Sequence, residues 1–426
     1  MINKTRTWIA TAFLFLLLSP LASAQLTPNI WKKFIGEPVP GGTPDLIDYS
    51  YAGYKNGEEG IPEDFAYTVY DVTDYGAMPD DGESDTVAIR NVLDVAAGGN
   101  SIVFFPPGQY DVLLDGDEKE SFIVRGHHVI VRGSGAQGAG NGGTTIKMHN
   151  RVAEGHVRLF ITSAVNNGWS NRPRVTGSFP SGMKYFDVHN ATPLIGHQFI
   201  TIRGDNLLGE DYDKLSSRPL TDLPDSYTRV REGLKVREHH EIDRIEGNRV
   251  YIKAPLVTHL KQGMNILWQD LTVGIGFEDL HIDGSFNEIY EHLVQRGRGG
   301  ITLSKTAHSW IRRCRISNVI DAFSISQSYC GLAVNNIVDG RFGHNLGGIF
   351  ESTYSMVALL QDRTDRGMWH GPVVSHYSAG SVIWHVTGPL VGGPDTHGAQ
   401  SRHSLFDNCN SINHHTSGGG RVFCHI

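Results

Sequence analysis

The chain has 426 residues, 39% of them hydrophobic and 19% charged, with 50 glycines and a formal charge of −8. That length suffices for a sizeable core, and the acidic balance argues against nucleic acid as a partner, although a locally basic cleft can still take an anionic sugar. Four cysteines, Cys314, Cys330, Cys409 and Cys424, are too few for a disulfide scaffold, and both bridges and buried free thiols stand open.

At the N-terminus, Lys4 and Arg6 precede an apolar stretch from Ile9 to Leu18, and Ala22-Ser23-Ala24 precedes Gln25. This pattern predicts a secretory signal peptide over 1–24, too short for a comfortable membrane span, and so a secreted or periplasmic protein with no membrane segment. Its removal takes two cations and no anions, moving the formal charge from −8 to −10. Residues 25–66 make an arm rich in Pro, Gly and Tyr, whose aromatics favour packing along the body over disorder.

From Val69 to Val112 the chain compresses a strand, an Asp/Gly turn, a short amphipathic helix, a Gly-Gly stop and an apolar strand into about forty residues. Ser84 or Asp85 is placed to cap the helix, Ala88, Ile89, Val92, Leu93 and Ala96 form its apolar stripe, and Gly98-Gly99 ends it. Ile102 to Phe105 is β-prone, and Pro106-Pro107-Gly108 turns the chain into a strand at Tyr110 to Val112. The motif D-Y-G-A…D-D…S-D-T-x-A-I…G-G…V-x-F-P-P-G-x-Y resembles the opening segment of the pectate-lyase-like superfamily. The resemblance implies an all-β, right-handed parallel β-helix in which this helix plugs the open end, the segment 67–151 forming the cap and first coils.

Residues 152–268 interrupt the pattern with strand-like pieces at Phe199 to Arg203 and Arg249 to Lys253, predicting an inserted β-rich module. Over 269–426 the coils resume, with units starting near Ile311, Leu332, Met356, Val382 and Ser404 at spacings of 21, 24, 26 and 22 residues. Such near-regular repeats are stacked coils, none able to bury its apolar face alone. The apolar ending Arg421 to Ile426 predicts a sheet edge that needs a cover, from a partner or from further chain. No residue pattern sets an oligomeric state.

Nine of the 21 histidines fall within residues 340–426, and solenoid interiors do not want imidazoles, so a functional groove is expected there. A second short strand in each coil is followed by Gln327-Ser328, Glu351-Ser352, His376-Tyr377 and Asp395-Thr396-His397, which stacking at ~4.8 Å would set in one ladder, flanked by Arg402 and His403. These are the groups that β-elimination of a uronic acid requires. Arg402 would neutralise the substrate carboxylate, His376 or His397 would remove the α-proton, and Tyr377 would protonate the leaving oxygen. Glu351, Asp395 and His403, with Trp369-His370 and Trp384-His385 as stacking platforms, are the candidate substrate-binding residues. Against this stands a structural reading in which His376 and Tyr377 make a turn and Asp395 caps a loop. Arg296 and Arg298 with His292 offer a weaker anion site.

The resemblance covers lyases, inverting glycoside hydrolases and phage tail depolymerases, so fold alone does not choose the reaction. The polygalacturonase signatures are missing: the adjacent aspartates Asp80-Asp81 lie in the cap turn. The expectation is a lyase acting on an acidic polysaccharide, against a glycoside hydrolase using Glu351 and Asp395 or a non-catalytic carbohydrate-binding solenoid. Glu351, His376, Asp395 and His397 offer mixed metal donors without HxxxH or HxH spacing; no cofactor is required, and Ca²⁺, used by several pectate lyases, is the ion the resemblance allows.

Overall fold

The computed structural model describes residues 29–39, 46–113, 121–149, 157–163, 172–207, 234–289, 291, 297–389, 395–396 and 401–409. The signal-peptide segment, His292, Arg296, His397, Cys424 and the C-terminal stretch from 410 lie outside them. The chain divides into two units: residues 1–46 with Ile426, in which Asn29–Phe34 is a short helix, and residues 47–425.

The second unit is a parallel β-helix whose coils pass through three faces. The first face pairs Trp310–Arg312 with Leu332–Val334, Met356–Thr364, Val382–Thr387 and Leu405–Asp407, so the repeat begins at Trp310, Leu332, Met356, Val382 and Leu405. The second carries Gly108–Val112, Thr144–Met148, His281–Asp283, Arg315–Ser317 and Ile337–Gly340. The long strand Met356–Thr364 bends across both, joining them in one sheet of 14 strands. The third face is a separate six-stranded sheet running from Phe122–Val124 and Arg158–Thr162 through Gly299–Ser304, Phe323–Ser326 and Asn345–Phe350 to His370–Ser375.

Inward positions stack apolar on apolar. Val131, Phe277, Ile311, Ala333, Val357 and Ile383 form one buried column, and Leu303, Ile325, Ile349 and Val374 another. Each buried aliphatic side chain contributes about 1.5–3 kcal/mol, but only when coils lie above and below it, which is why the repeat is obligatory.

The helix Thr86–Ala96 sends Ile89, Val92, Leu93 and Ala96 into this core. Asp85 precedes it without capping it: its buried carboxylate accepts instead from the amides of Met78 (2.8 Å) and Asp111 (3.0 Å). Of the arm, Tyr54 and Phe65 pack on Trp310, edge-on and stacked respectively. Cys314 and Cys330 are buried thiols inside the coils. Among the described residues no helix is long and apolar enough to cross a membrane.

The interruption begins later than the sequence suggests, because Arg158–Thr162 is a strand of the third face. What departs from the coil is an antiparallel sheet in the order Asn265–Gln269, Phe199–Leu207, Leu234–Glu246, Arg249–Ile252, Tyr185–Asp187. It has its own apolar core around Phe186, Ile200, Ile202, Val250 and Ile266. Its longest strand docks on the coils: the His239 amide donates to Thr353 Oγ1 at 2.8 Å, and His308 lies 2.9 Å from Glu241.

Candidate functional site

Where the third face ends, each coil turns through left-handed backbone: Lys305 (φ 52), Gln327 (φ 49), Glu351 (φ 44), and in the last coil both His376 (φ 49) and Tyr377 (φ 65). An ordinary residue holds this conformation only where surrounding bonds enforce it. Here the enforcing groups follow, one residue on in three coils and two residues on, after Tyr377, in the last. Thr306, Ser328, Ser352 and Ser378 are buried, and the hydroxyls of Ser328, Ser352 and Ser378 accept the amides of Thr306, Ser328 and Ser352 on the preceding coil at 3.0–3.3 Å. The small residue turns in, and the corner residue is thereby forced out.

The outward corner groups consequently form a column, one per coil. Gln327 Nε2 donates to Glu351 Oε2 at 3.2 Å. The exposed His376 places Nδ1 2.7 Å from Ser375 Oγ. Tyr377 follows, half-buried, with the Arg237 guanidinium 5.6 Å from its ring centre. Arg237 comes from the inserted strand and is held by Asp205 at 2.6 Å. On the same strand His239 reaches the Glu351 carbonyl at 2.8 Å, and burial lowers its pKa.

The opposite edge of the third face carries a second set. His370 Nδ1 lies 3.1 Å from Asp395 Oδ2, and His344 Nδ1 lies 3.4 Å from Asp321 Oδ1. The two imidazoles meet edge to face at 4.8 Å, and Arg158 pairs with Asp321 at 3.1 Å. Between the edges, the outward positions Thr302, Ser324 and Gly348 are small, with the two hydroxyls 2.8 Å apart. The face rises at the outward residues Phe350 and Val373, and the Phe350 ring stands 6.0 Å from that of His376 at the first rim.

Residues 69–179 match the family model described as Rhamnogalacturonase A/epimerase, pectate lyase-like. A segment of 86 residues is 36% identical to mannuronan C5-epimerase AlgE6 of Azotobacter vinelandii, covering 20% of this chain and 9% of that protein. Residues 69–179 are thus similar to the pectate-lyase-like family, and the chain folds as a parallel β-helix. The A-module of the same epimerase superposes with a TM-score of 0.38 at 14% identity over 79% of this chain and 62% of that one. Tailspike gp49 of Pseudomonas phage LKA1 superposes at 0.37 and 11% identity, over 79% and 64%. The chain therefore spans less than two thirds of each of these relatives.

On this β-helix the expected ladder divides. Gln327, Glu351, His376 and Tyr377 share one edge, but Asp395 pairs beside Val373 and joins His370 at the other. Trp369 packs on Phe286, Ile320 and Phe342 next to that second edge. Arg402 is not in the groove. Its side chain is 9% exposed, its Nε donates to Thr258 Oγ1 at 2.7 Å, and it stands 3.9 Å from the fully buried Glu238, so it fastens the inserted sheet. His403 takes the next left-handed corner, that of His308, Cys330 and Tyr354, away from the rims. Trp384 lies on the first face beside Ala358 and Asp407, so no stacking role in this groove remains for it. Among the described residues no three His, Cys, Asp or Glu gather as a metal site, and Glu351 and His376 are parted from Asp395.

Sequence reasoning missed Arg237, Lys305 and the pair Asp321 and His344. Lys305 was detectable, since 305, 327, 351 and 376 keep the coil spacing. Arg237 was not, because its place depends on how the inserted sheet docks.

Proposed function

We propose that this protein is an exported carbohydrate-active enzyme that lays an acidic polysaccharide along the third face and acts on a uronate at the His376–Tyr377 edge by β-elimination. The observation that carries this reading is the meeting of an exposed imidazole, a phenol and a guanidinium, His376, Tyr377 and Arg237, at one rim of the groove. Coils repeat at ~4.8 Å, close to the length of one pyranose unit, so a chain parallel to the helix axis meets one rim residue per sugar. Arg237 offsets charge on the carboxylate, which makes the α-proton at C5 removable, and His376 takes it. The electron pair forms the C4–C5 double bond, the C4–O bond breaks, and Tyr377 protonates the departing oxygen. His370, oriented by Asp395, holds sugar hydroxyls at the far rim.

The partial match to a mannuronan C5-epimerase favours one second reading, in which the same C5 proton is removed and returned from the opposite side. The hydrolase reading weakens. Glu351 and Asp395 lie three residues apart along the strand and two coils apart, a backbone separation of roughly 14 Å. Paired glycosidase carboxylates stand about 5–9.5 Å apart.

Incubation with a panel of uronate polysaccharides in D₂O distinguishes the readings. A lyase raises ultraviolet absorbance as unsaturated ends form. An epimerase incorporates deuterium at C5 without new chain ends. A hydrolase yields reducing ends without absorbance, and silence in all three assays would indicate a binding solenoid and end the enzymatic proposal. Activity is expected to survive EDTA; loss in EDTA that added Ca²⁺ reverses would show that a metal replaces Arg237 in neutralising the carboxylate.

A further inference from the structure

The third face carries one aromatic side chain that the coil does not use for its own packing. Phe350 points outward beside the buried Ile349 and stands in register between Ser326 and Ser375. It is half-buried, and it belongs to none of the apolar clusters among the described residues. Its ring leans along the strand over Gly348. A Cβ built on Gly348 would lie 2.9 Å from Phe350 Cε2 and 3.0 Å from Cζ, closer than carbon atoms pack. Gly348 has no positive φ, so glycine is needed there for the room it leaves to the ring and not for its backbone freedom.

The surroundings of the ring are polar. Ser324 and Ser326 lie outward on the preceding coil, Val373 and Ser375 on the next, and the His376 ring stands 6.0 Å away at 43°. An aromatic ring left part-exposed among hydroxyls suits a ligand that is apolar on one face and polar around its edge, which is the make-up of a pyranose. Position decides which pyranose. Phe350 lies one coil before His376, and one coil is about one sugar long, so Phe350 meets the neighbour of the reacting sugar. Charge decides its class. The rim residue at this level is Glu351, whose Oε2 accepts from Gln327 at 3.2 Å, whereas Arg237 stands one coil further on at Tyr377. A carboxylate on the sugar over Phe350 would face an anion.

We propose that Phe350 is the stacking platform for an uncharged pyranose that adjoins the uronate at His376. The assignment rests on the reading of the groove given above and adds to it the nature of the neighbouring sugar. Phe350 does no chemistry. It grips the ground state and the transition state alike, through the C–H face of a sugar that does not react, so its contribution falls on KM.

The test compares the uronate polymer turned over fastest with the same polymer after part of its carboxyls have been reduced to primary alcohols. Phe350→Ala is expected to raise KM about tenfold, the effect of uncovering one apolar sugar face, with kcat little changed. The factor should be equal at low and high salt, because the contact involves no charge. Phe350→Tyr should return KM to the parent value, and Gly348→Ala, which displaces the ring, should raise it. The parent should show the lower KM for the partly reduced polymer, and Glu351→Gln should close that gap. An unchanged KM in Phe350→Ala, a loss that Phe350→Tyr does not restore, or a parent preference for the fully charged polymer overturns the proposal and leaves the enzymatic reading intact. If nothing is turned over, electrophoresis through gels containing polygalacturonate or its partly reduced form decides. Retardation that Phe350→Ala abolishes keeps the platform and ends the enzymatic reading, and equal migration of parent and variant overturns both.

Discussion

Arg402 separates a catalytic from an architectural reading, because the two predict opposite results for one substitution. In the structure its partner Glu238 is fully buried and accepts the amides of Val257 (2.7 Å) and Thr258 (3.0 Å) and the His240 imidazole (2.7 Å). Burial alone would raise the Glu238 pKa, but the bond from His240 and the charges of His240 and Arg402 hold it below the ordinary glutamate value. Arg402→Met keeps much of the apolar stem while removing the bond to Thr258 and a 3.9 Å charge contact. A broken buried pair typically costs 3–5 kcal/mol, but Glu238 keeps three donors, so the expected loss is about 2 kcal/mol. Glu238→Ala, which leaves the Arg402 cation and three donors without their acceptor, should cost about 3–5 kcal/mol. Scanning calorimetry should therefore rank the parent above Arg402→Met and Arg402→Met above Glu238→Ala, with the double variant less destabilised than the two losses added together. Because the folded pKa of Glu238 is depressed, its contribution is full above the unfolded value near 4.5 and is lost as pH falls through the folded one. Well below the melting temperature, Arg402→Met should retain the parent kcat/KM. A collapse of kcat/KM with an unchanged melting temperature would refute the assignment and return Arg402 to the substrate.

The remaining predictions address the rim and the corners. His376→Ala and Tyr377→Phe should each lower turnover by roughly 10²–10⁴-fold with unaltered circular dichroism, the range for losing a general acid or base; retained activity in both would place the chemistry elsewhere. Ser352→Ala strips the acceptor from the Ser328 amide and should cost about 1–3 kcal/mol by chemical denaturation, more than the same change at an exposed serine. Trp384→Ala, on the first face, should leave kcat/KM unchanged. Burial first, and the Arg315 charge second, lower the pKa of His281, so the folded protein should lose stability as pH drops below about 6.5; His281→Gln should flatten that slope in melting curves recorded from pH 7 to 5.

Much of the architecture is legible in residue order because a coil has a short-range code. Apolar residues at alternate positions, a hydroxyl at the inward corner and any tolerant residue at the outward one recur every 22 to 26 residues, so Glu351 and His376 can be stacked by counting alone. Counting fails where loop length between the second and third faces changes. Asp395 was assigned to the corner by analogy with Glu351 and His376, yet it pairs with Val373 in mid-strand. It fails altogether for the inserted sheet. Nothing local in Arg237, Glu238 or His239 says that this strand lies across the turn at Glu351 to Thr353, and that docking is what brings a cation to Tyr377 and takes Arg402 out of reach of substrate.

The same division explains how chemistry can change on a solenoid without disturbing its stability. The inward columns and the Thr306 to Ser378 hydroxyl ladder satisfy the coil internally, so the outward corner residues contribute little to folding and are open to substitution. The inserted sheet is the opposite case: it supplies Arg237 to the rim through a contact that includes the buried Glu238, His239 and His240. A rim variant such as His376→Ala should therefore change rate alone, whereas a change in the Glu238 contact should alter stability first, and rate only when the sheet shifts far enough to move Arg237 away from Tyr377. Progressive weakening of that contact, from Arg402→Met to Glu238→Ala, should consequently lower the melting temperature before it lowers turnover. Parallel loss of both from the mildest variant onward would mean that the docked sheet and the rim are a single unit rather than a scaffold and the group it carries.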